Sequence, residues 1–494
     1  MDSHAFKSRA FVGGSLLILL SKCLFSTAIP VNSAPRIGIV GAGIGGAMTA
    51  HFTRNLFGVD AKIDVYEKSH VGGRLSVVEF GGQKYEAGGS IIHERNRYMA
   101  DIAKLLKLEH APQPSWRSGL YNGKEFVFEE SSFSYLTYVD LIWRYGLSII
   151  KWNTLMSEML NHFDNVYGFQ EDGYAYTTVD QLLHAMNPEF VNMTQTTTSD
   201  FLEARGFSDT FIKEIATAAA RVNYGQSTNI NAFVGAASLA AAQPSLWSVE
   251  GGNYQLAEGA LNLSKANLIP AKVSAVTLLS GGTYKISTTS PENSVDKEYD
   301  IVVVAAPQTK DLRSISFNGF SEPFDDKFFG RYHQTIATFV EGIVNSSHFG
   351  SQLQLAIPDG IISINFNLPY NCLARNYAVT VKDPDDAKMK SPKIYKLFSQ
   401  KEMSNEQLDI LFEERTAVKS VNWLAYPQYN PPEKLGDFKL HDFLYYTSAI
   451  EWAGSAMEMS AVAARNAALL AYNEYNDISK NDEVYTSSSI KTEL

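Results

Sequence analysis

The sequence predicts an α/β fold, and three of its features carry that prediction. A short apolar strand at Arg36–Val40 runs into a glycine-rich turn and then an apolar-periodic helix from about Gly45 to Phe57. A second strand, Lys62–Glu67, follows and ends in a carboxylate. Much later, residues 300–307 form an apolar strand that ends in small residues. This pattern predicts a Rossmann-type dinucleotide-binding domain, interleaved with a mixed α+β substrate-binding domain.

The composition is that of a large folded protein with an acidic balance. The 494 residues include 42 Lys and Arg against 53 Asp and Glu, a formal net charge of −11, and 45% are hydrophobic. This composition supports large cores, and the length suits two interleaved domains. Because nucleic-acid binding needs a basic face, a pI near 5.5 with no block of like charges argues against a nucleic-acid partner.

The first 34 residues have the pattern of a signal peptide. An apolar stretch from Ala10 to Leu20 follows two basic residues and precedes small and polar ones, and cleavage is expected near residues 28–34. The alternative is a membrane anchor, but the stretch is shorter than the roughly 20 apolar residues that span a bilayer. Cleavage would leave Cys372 as the only cysteine, and no later segment predicts a transmembrane helix.

Two further features concern the destination of the chain. Sequons at Asn192, Asn262 and Asn345 would accept glycans in a lumenal protein. The C-terminal Lys491–Leu494 is close to an endoplasmic-reticulum retrieval signal, with Thr where Asp is usual. The sequence therefore predicts the secretory route, with retention in the endoplasmic reticulum left open.

The glycine-rich turn has the spacing of a dinucleotide-binding fingerprint. Gly41 is expected to make the tight turn, Gly43 to let backbone approach a pyrophosphate, and Gly46 to let the helix pack on the strand. The pyrophosphate would sit at the helix N-terminus, beside Gly45, where free amide groups and the helix dipole favour an anion. Glu67, 21 residues after Gly46, is expected to accept hydrogen bonds from ribose hydroxyls.

Three more glycine pairs follow within 22 residues of Glu67, and two of them stand in Gly72-Gly73-Arg74 and Gly88-Gly89-Ser90, with Gly81-Gly82 between. A flavoprotein needs backbone near both the phosphates and the ring of its cofactor, whereas a nicotinamide dehydrogenase has no need of two such turns. The arrangement resembles the FAD-binding half of the superfamily of amine oxidases, phytoene desaturases and GDP-dissociation inhibitors. The resemblance implies non-covalent FAD, with Arg74 neutralising phosphate charge.

The same resemblance assigns five residues later in the chain to the cofactor. The backbone of Val273 would meet adenine, and Ala306 lies in a small-residue turn under the dinucleotide. A final helix would point its N-terminus at the pyrimidine ring of the flavin, which places three residues there: Ser455, Ala456 and Met457.

The sequence lacks the motifs of several other chemistries. No second GxGxxG occurs, so a separate nicotinamide site is not predicted and the flavin is expected to be reduced by the substrate, which favours an oxidase. No metal site is predicted, because the 10 histidines show no ligand spacing. Cys372 lies in no nucleophile motif.

The stretch from Phe133 to Trp152 is rich in aromatic residues and is broken by three charged ones. It predicts a buried helix of the second domain, the wall of an apolar tunnel, or a face that rests on a membrane. The sequence leaves these three interpretations open.

A set of segments then points to one family. They are Val71–Arg74, Tyr85–Ser90, Trp143–Gly146, Arg221–Leu239, Leu246–Asn253, Trp423–Pro427, Pro431–Lys434, Ser455–Ser460 and the Lys491–Leu494 end. The set resembles the prenylcysteine oxidase family, whose plant members are called farnesylcysteine lyases, and the likeness runs from about Pro35 to Leu494. It implies an FAD-dependent thioether oxidase that converts S-prenylcysteine, O2 and water to prenyl aldehyde, cysteine and H2O2. A lysosome or vacuole is the compartment implied.

The resemblance implies hydride loss from the carbon next to sulfur, a step that needs positioning and desolvation more than acid–base catalysis. No general base is therefore assigned, and the candidates near the reacting groups are His93, Arg221, Tyr446 and Glu451. Arg221 would pair either with the cysteine carboxylate or in a core salt bridge. Two alternatives share the fold: a flavin amine oxidase acting on polyamines, and a non-enzymatic prenyl-binding protein of the GDP-dissociation-inhibitor kind.

The predicted organisation alternates between the two domains. FAD-binding segments are expected at 35–110, 251–310 and 436–475, a helical substrate segment at 111–250, a β-rich one at 311–435, and a tail at 476–494.

Overall fold

The computed structural model describes residues 34–484, apart from 113–115, 132, 244, 290–295, 325, 351–356 and 384–392. The expected signal peptide, except for its last residue, and the C-terminal Lys491–Leu494 lie outside the described residues.

The described strands fall into five sheets. They are β1 Arg36–Val40, β2 Lys62–Glu67, β3 Val77–Phe80, β4 Gln83–Glu86, β5 Ile92–His93, β6 Ser118–Tyr121, β7 Phe126–Glu129, β8 Leu246–Trp247, β9 Asn267–Pro270, β10 Lys272–Leu278, β11 Tyr284–Thr289, β12 Asp296–Tyr299, β13 Ile301–Val304, β14 Ser316–Asn318, β15 Tyr332–Val344, β16 Gly360–Ser363, β17 Cys372–Arg375, β18 Lys393–Ser399, β19 Phe412–Pro427, β20 Lys439–His441 and β21 Leu444–Tyr446.

The described helices cluster between residues 134 and 264. They are α1 Ile44–Phe57, α2 Arg97–Leu106, α3 Ser134–Tyr145, α4 Ser148–Phe163, α5 Asn165–Glu171, α6 Val179–Met186, α7 Pro188–Gln195, α8 Thr198–Ala204, α9 Asp209–Phe211, α10 Thr217–Tyr224, α11 Ala232–Ala240, α12 Tyr254–Ser264, α13 Asn405–Leu411 and α14 Met457–Tyr475. A π-helix, Ile212–Ala216, joins α9 to α10, and short 3₁₀-helices span Ser346–Phe349 and Thr447–Trp452.

A six-stranded sheet in the order β20-β21-β13-β1-β2-β9 forms the predicted Rossmann-type core. Its centre is parallel, with Ile37 opposite Ile301 and Arg36 opposite Lys62. The four residues of β13 are all buried. Helix α1 packs against the central sheet, and strands β11 and β12 also cover it, since Ile286 and Tyr299 lie against Gly38. Strands β1 and β2 begin and end where the sequence predicts, and α1 starts one residue earlier, at Ile44. The predicted fold class is confirmed.

Two other sheets show where the domain segments meet. A four-stranded sheet, β12-β11-β10-β14, includes β14 at residues 316–318, so the second FAD-binding segment continues past the expected boundary at 310. A seven-stranded sheet, β19-β15-β18-β17-β16-β6-β7, recruits β6 and β7 from the segment expected to be helical. Sheet membership depends on partners far along the chain, so neither detail is visible in the local sequence pattern.

The start of the predicted tail packs on the helical segment. Asn481 bridges to Ala175, and the Thr177 N–H and hydroxyl both donate to the Asp482 carboxylate, at 2.7 and 2.8 Å. Residues up to about 482 therefore belong to the folded body.

The aromatic stretch forms α3 and the start of α4, and the buried-helix interpretation is wrong for α3. Tyr145 is the only buried residue of α3, and Trp143 is 90% exposed. The buried face belongs to α4, which places Ile149, Trp152 and Leu155 in the core. No helix of the described residues is long and apolar enough to cross a bilayer.

Candidate functional site

A cavity of about 470 Å³ lies at the carboxyl ends of β1, β2 and β13, where ligands bind in open parallel sheets. Most of the residues expected to bind a cofactor line it, and these are Gly41, Gly43, Gly45, Glu67, Gly72, Gly73, Arg74, Gly88, Gly89, Val273, Ala306, Ser455, Ala456 and Met457. Gly46 and Ser90 do not line it.

The fingerprint glycines have the geometry that their predicted roles require. Gly41 has φ of +101°, and its N–H donates to the Tyr66 carbonyl oxygen at 2.8 Å. A Cβ on Gly46 would overlap the carbonyl oxygen of Gly41, so only glycine lets α1 approach the turn. The Gly72-Gly73-Arg74 turn runs beside the fingerprint turn, since Gly43 forms a parallel bridge with Gly72.

Two helix N-termini open onto the cavity without a side-chain cap. Helix α1 follows Gly43 and helix α14 follows Ala456, and neither N-cap residue bonds to the first turn through its side chain. The uncapped amide groups and the helix dipoles favour negative charge at both places. The cavity therefore offers two separate sites for an anionic or electron-rich group.

Glu67 accepts hydrogen bonds from the protein backbone, in addition to its predicted contact with ribose. Its carboxylate accepts from the Ala42 N–H at 2.9 Å and from the Ser69 N–H at 2.8 Å. These bonds fix the turn against the end of β2. Because a carboxylate accepts about four hydrogen bonds, the group retains capacity for ribose hydroxyls.

Arg74 is paired within the protein, which changes its expected role. Its Nη1 and Nη2 donate to the two carboxylate oxygens of Glu451 at 2.7 and 2.8 Å, and Nη1 also donates to the Ala425 carbonyl oxygen at 2.7 Å. Glu451 is buried, and the Ser455 hydroxyl donates to it at 2.8 Å. The charge of Arg74 is thus met by Glu451 and is not left for a phosphate. The pair ties the Gly72-Gly73-Arg74 turn to the segment before α14.

Of the four catalytic candidates, only Glu451 lines the cavity. The backbone N–H of Arg95 donates to Nδ1 of His93, and the Tyr446 hydroxyl accepts from the Gln308 N–H at 2.9 Å. Neither His93 nor Tyr446 lines the cavity, although Gln308, the partner of Tyr446, does. Arg221 is buried in the substrate domain, on α10.

Another wall of the cavity comes from residues to which the sequence assigns no role in the site. The long strands of the seven-stranded sheet supply them: Tyr332, Thr335, Phe398, Trp423, Leu424, Ala425 and Tyr426. The Trp423 ring N–H donates to the Ala87 carbonyl oxygen at 2.8 Å, which fastens this wall to the glycine turns. The Trp423–Pro427 segment was noticed only for its family likeness.

Ser90, which does not line the cavity, is bound by Lys396. The Nζ of Lys396 donates to the Ser90 hydroxyl at 3.3 Å and to the Glu86 carbonyl oxygen at 3.1 Å. Burial lowers the pKa of Lys396 and raises the pKa of Glu86 to about 7. No local pattern around Lys396 marks it as a half-buried cation.

The remaining predicted residues are placed as follows. Asn192 and Asn262 are exposed on α7 and α12, whereas Asn345 caps the 3₁₀-helix, accepting from the His348 N–H at 3.2 Å. Cys372 is buried, and burial raises its pKa to about 11, so its thiol is protonated and unreactive. Within the described residues, no group of three His, Cys, Asp or Glu side chains could hold a metal ion.

Comparisons with known proteins agree with this architecture. Residues 39–106 match the model of an NAD(P)-binding Rossmann-like domain, and residues 128–483 match the prenylcysteine lyase family model. Prenylcysteine oxidase 1 of Mus musculus is 39% identical, with 98% of this chain and 99% of the mouse protein covered. The Homo sapiens protein of the same name is 38% identical, with 97% of each chain covered. Prenylcysteine oxidase 1-like of Homo sapiens is also 38% identical, over 97% of this chain and 99% of the other.

Solved structures share the fold at low identity. A fatty acid isomerase from P. acnes matches with a TM-score of 0.61 and 14% identity, over 87% of this chain and 97% of that chain. Cyclohexylamine oxidase from Brevibacterium oxydans matches with a TM-score of 0.59 and 14% identity, over 90% of this chain and 100% of that chain. From its match over residues 128–483 and its full-length relatives, the chain belongs to the prenylcysteine lyase family and is an oxidoreductase.

Proposed function

We propose that the chain is an FAD-dependent oxidase of S-prenylcysteine, and that it uses O2 and water to form prenyl aldehyde, cysteine and H2O2. The observation that carries the proposal is one cavity with two unlike walls. One wall holds the fingerprint glycines and two uncapped helix N-termini, and the other is an aromatic and aliphatic sheet surface. The names of the relatives, prenylcysteine oxidase 1, support the substrate.

The residues present fit non-covalent FAD. A Cβ at Gly41 would crowd the backbone of Ala306 and one at Gly46 would overlap the Gly41 carbonyl oxygen, so glycine keeps the turn tight at both positions. Gly43 and Gly45 line the cavity beside the uncapped start of α1 and present no side chain to it. Gly41, Gly43 and Gly45 would hold the pyrophosphate, Glu67 the ribose and the backbone of Val273 the adenine. The start of α14, at Ala456 and Met457, would lie against the pyrimidine ring.

FAD supplies the hydride acceptor for oxidation of the carbon next to sulfur. The protein binds the prenyl tail and fixes the orientation of the substrate. It also keeps water away from the carbon next to sulfur until hydride loss leaves a cation there for water to attack. Phe398, Trp423 and Tyr426 provide the apolar surface for this. Glu451 is a poor general base, because both of its carboxylate oxygens accept from Arg74. Positioning therefore outweighs acid–base catalysis here.

The carboxylates that line the cavity bear on the alternative function, oxidation of polyamines. A diamine or polyamine needs carboxylates for its cationic ends. The two carboxylates that line the cavity are engaged, Glu67 by the Ala42 and Ser69 backbone amides and Glu451 by Arg74. This disfavours polyamine binding. The other alternative, a prenyl-binding protein without enzymatic activity, would show no flavin reduction by S-farnesylcysteine.

The test is flavin content and substrate-driven reduction of the purified chain. Under anaerobic conditions S-farnesylcysteine should bleach the flavin absorbance, and NADPH should not. On admission of air, H2O2 and farnesal should appear in equal amounts. S-methylcysteine and spermine are the matched negative substrates. A colourless protein, or bleaching by spermine but not by S-farnesylcysteine, would overturn the proposal.

We further propose entry into the secretory route, with a lysosome or vacuole as the destination. The supports are the N-terminal pattern and the exposed sequons at Asn192 and Asn262, while the C-terminal Lys491–Leu494 favours some retention in the endoplasmic reticulum. Digestion with endoglycosidase H and imaging of an internally tagged chain test this. A chain of unprocessed mass and no glycan would contradict it.

We also propose that α3 and the start of α4 rest on a lipid bilayer, which is where a prenylated substrate partitions. The large apolar residues exposed there are Phe133, Tyr135, Leu136, Tyr138, Val139, Ile142, Trp143, Leu147 and Ile150. Tyr and Trp are the residues that favour the interface of a membrane. Vesicle flotation of the wild type and of a Trp143 variant tests this contact.

A further inference from the structure

Among the residues that the structure describes, Arg221 is a buried cation without an anionic partner. It is 3% exposed, and its Nη2 donates to the Tyr370 carbonyl oxygen at 3.0 Å. Its guanidinium also lies 4.4 Å from the centroid of the Phe366 ring. In the described part of the chain, none of the ion pairs includes Arg221, and its Nε has no hydrogen-bond partner. The core salt bridge that the sequence left open is therefore absent among these residues.

Four other unpartnered polar atoms lie on segments that meet near Arg221. With Arg221 Nε they form what we call the polar cluster: His333 Nε2, Thr335 Oγ1, Tyr370 Oη and Asn371 Nδ2, all buried without a partner. Gly225, at the end of α10, brings part of it together. A Cβ there would lie 3.1 Å from both Asn371 Nδ2 and His333 Nε2.

The polar cluster adjoins the cavity from the side of the seven-stranded sheet. Thr335 lines the cavity directly. The Asn371 N–H donates to the carbonyl oxygen of Phe398, a lining residue, at 2.7 Å. His333 pairs across β15 and β19 with Tyr426, which also lines the cavity. Thr335 is therefore the point at which the cavity meets the polar cluster.

The chemistry of the polar cluster selects an anion. Buried polar groups are normally paired, and a lone buried cation costs several kcal/mol, so five orphan atoms together indicate a missing ligand. Arg221, Asn371 and the two hydroxyls are hydrogen-bond donors, and the cluster contains no carboxylate. Burial lowers the pKa of Arg221 only to about 10, so the side chain keeps its charge at neutral pH.

We propose that the polar cluster binds the α-carboxylate of the substrate's amino-acid head group, with Arg221 as its counter-ion. The inference rests on the proposed function and adds a specificity determinant to it. The prenyl tail would lie along the apolar wall, and the ion pair at the head would fix which carbon faces the flavin. Carboxyl-esterified and amidated prenylcysteine should be poor substrates, since they lack the anion.

The test compares S-farnesylcysteine with its methyl ester and its carboxamide. In the wild type, kcat/KM for the acid should exceed that for the ester by roughly 30-fold or more, the range for losing one partner of a buried charge pair. Arg221→Gln should remove that preference mainly through KM, and Arg221→Lys should restore part of it. Arg465→Gln is the matched control, because Arg465 is also partly buried against an aromatic ring, that of Phe52, away from the polar cluster.

A binding measurement separates this inference from the proposed function. S-dodecylcysteine has no allylic double bond to assist hydride loss, so calorimetry with it and its methyl ester reports binding alone. Tighter binding of the acid by the wild type but not by Arg221→Gln supports the polar cluster, even if no compound is oxidised. Equal kcat/KM or equal affinity for acid and ester in the wild type overturns it, and that comparison needs no variant to fold.

Discussion

Gly46 is the residue of the site that is least able to accept a side chain. Because a Cβ there would overlap the Gly41 carbonyl oxygen, Gly46→Ala should open the turn and abolish flavin binding. The measurement is the ratio of flavin to protein absorbance after purification, together with Tm. Gly281→Ala is the control, since no atom lies within 4 Å of a Cβ at that position. Full flavin content in folded Gly46→Ala protein would contradict the assignment.

The Arg74–Glu451 pair gives a second residue-scale prediction. Glu451 is 2% exposed, so Glu451→Gln removes one partner of a buried ion pair and should lower the free energy of unfolding by about 3 kcal/mol. Glu298→Gln should cost less than about 1 kcal/mol, because its contact with Arg36 is exposed. Urea unfolding of both variants measures the difference. Equal losses of unfolding free energy in the two variants would show that the Arg74–Glu451 pair stabilises the fold no more than the exposed Arg36–Glu298 pair does.

These residues also show what the sequence could predict. The fingerprint glycines and Glu67 were predictable because their roles depend on spacing along one β-turn-α-turn-β segment. The partner of Arg74 lies 377 residues further on, and the lysine that holds Ser90 lies 306 residues further on. Nothing in a local pattern relates residues so far apart. The predicted phosphate role of Arg74 therefore gave way to a contact that only the folded chain reveals.

Helix α3 is the element whose environment the sequence predicted least well. Its aromatic content fits a buried helix, a tunnel wall or a membrane face, and the pattern alone does not separate these. In the structure most apolar residues of α3 are exposed, whereas Tyr145 is buried and Leu141 packs partly buried against the core. Exposed apolar area on this scale favours a further binding surface.

Trp143 tests the lipid contact at this element. Trp143→Asp places a charge where a 90% exposed indole lies, so it should weaken binding to phosphatidylcholine vesicles by tenfold or more, about the value of one buried aromatic side chain. Vesicle flotation measures this, and flavin content should be unchanged. Val59→Asp is the control, because Val59 is 81% exposed on another part of the surface. Wild-type protein that does not float would rule out the contact.

The chain passes several times between the predicted FAD-binding domain and the predicted substrate-binding domain. The central sheet joins β1, β13 and β21, whose residues span 36–446, and the cavity forms where this sheet meets the long strands β15 and β19. The predicted order of the segments rests on motifs that recur in one superfamily. Strands β6 and β7 lie in the segment expected to be helical, and β14 lies past the boundary expected at 310, because sheet pairing is decided by tertiary contacts.

Buried carboxyl groups make the stability of the whole fold depend on pH. Burial raises the pKa of Glu86, Glu433 and Glu458 to about 7 in each case. A carboxyl whose folded pKa is raised favours the fold below its unfolded pKa, near 4.5, and loses that advantage as pH rises towards 7. These three groups therefore favour an acidic compartment, in line with the proposed lysosomal or vacuolar destination.

Glu433→Gln isolates this effect. Glutamine mimics the protonated carboxyl, and Glu433 already accepts from the Asn430 N–H at 2.8 Å, a bond that the amide oxygen can keep. The variant and the wild type should be equally stable near pH 4.5. By pH 8 the variant should be more stable by up to about 3 kcal/mol, since each pKa unit corresponds to about 1.4 kcal/mol. Urea unfolding from pH 4.5 to 8 measures the gap, with the exposed Glu413→Gln as control. A gap that stays constant with pH would mean that folding does not change the pKa of Glu433, and the cost of burying its carboxylate would then have to be offset by neighbouring donors.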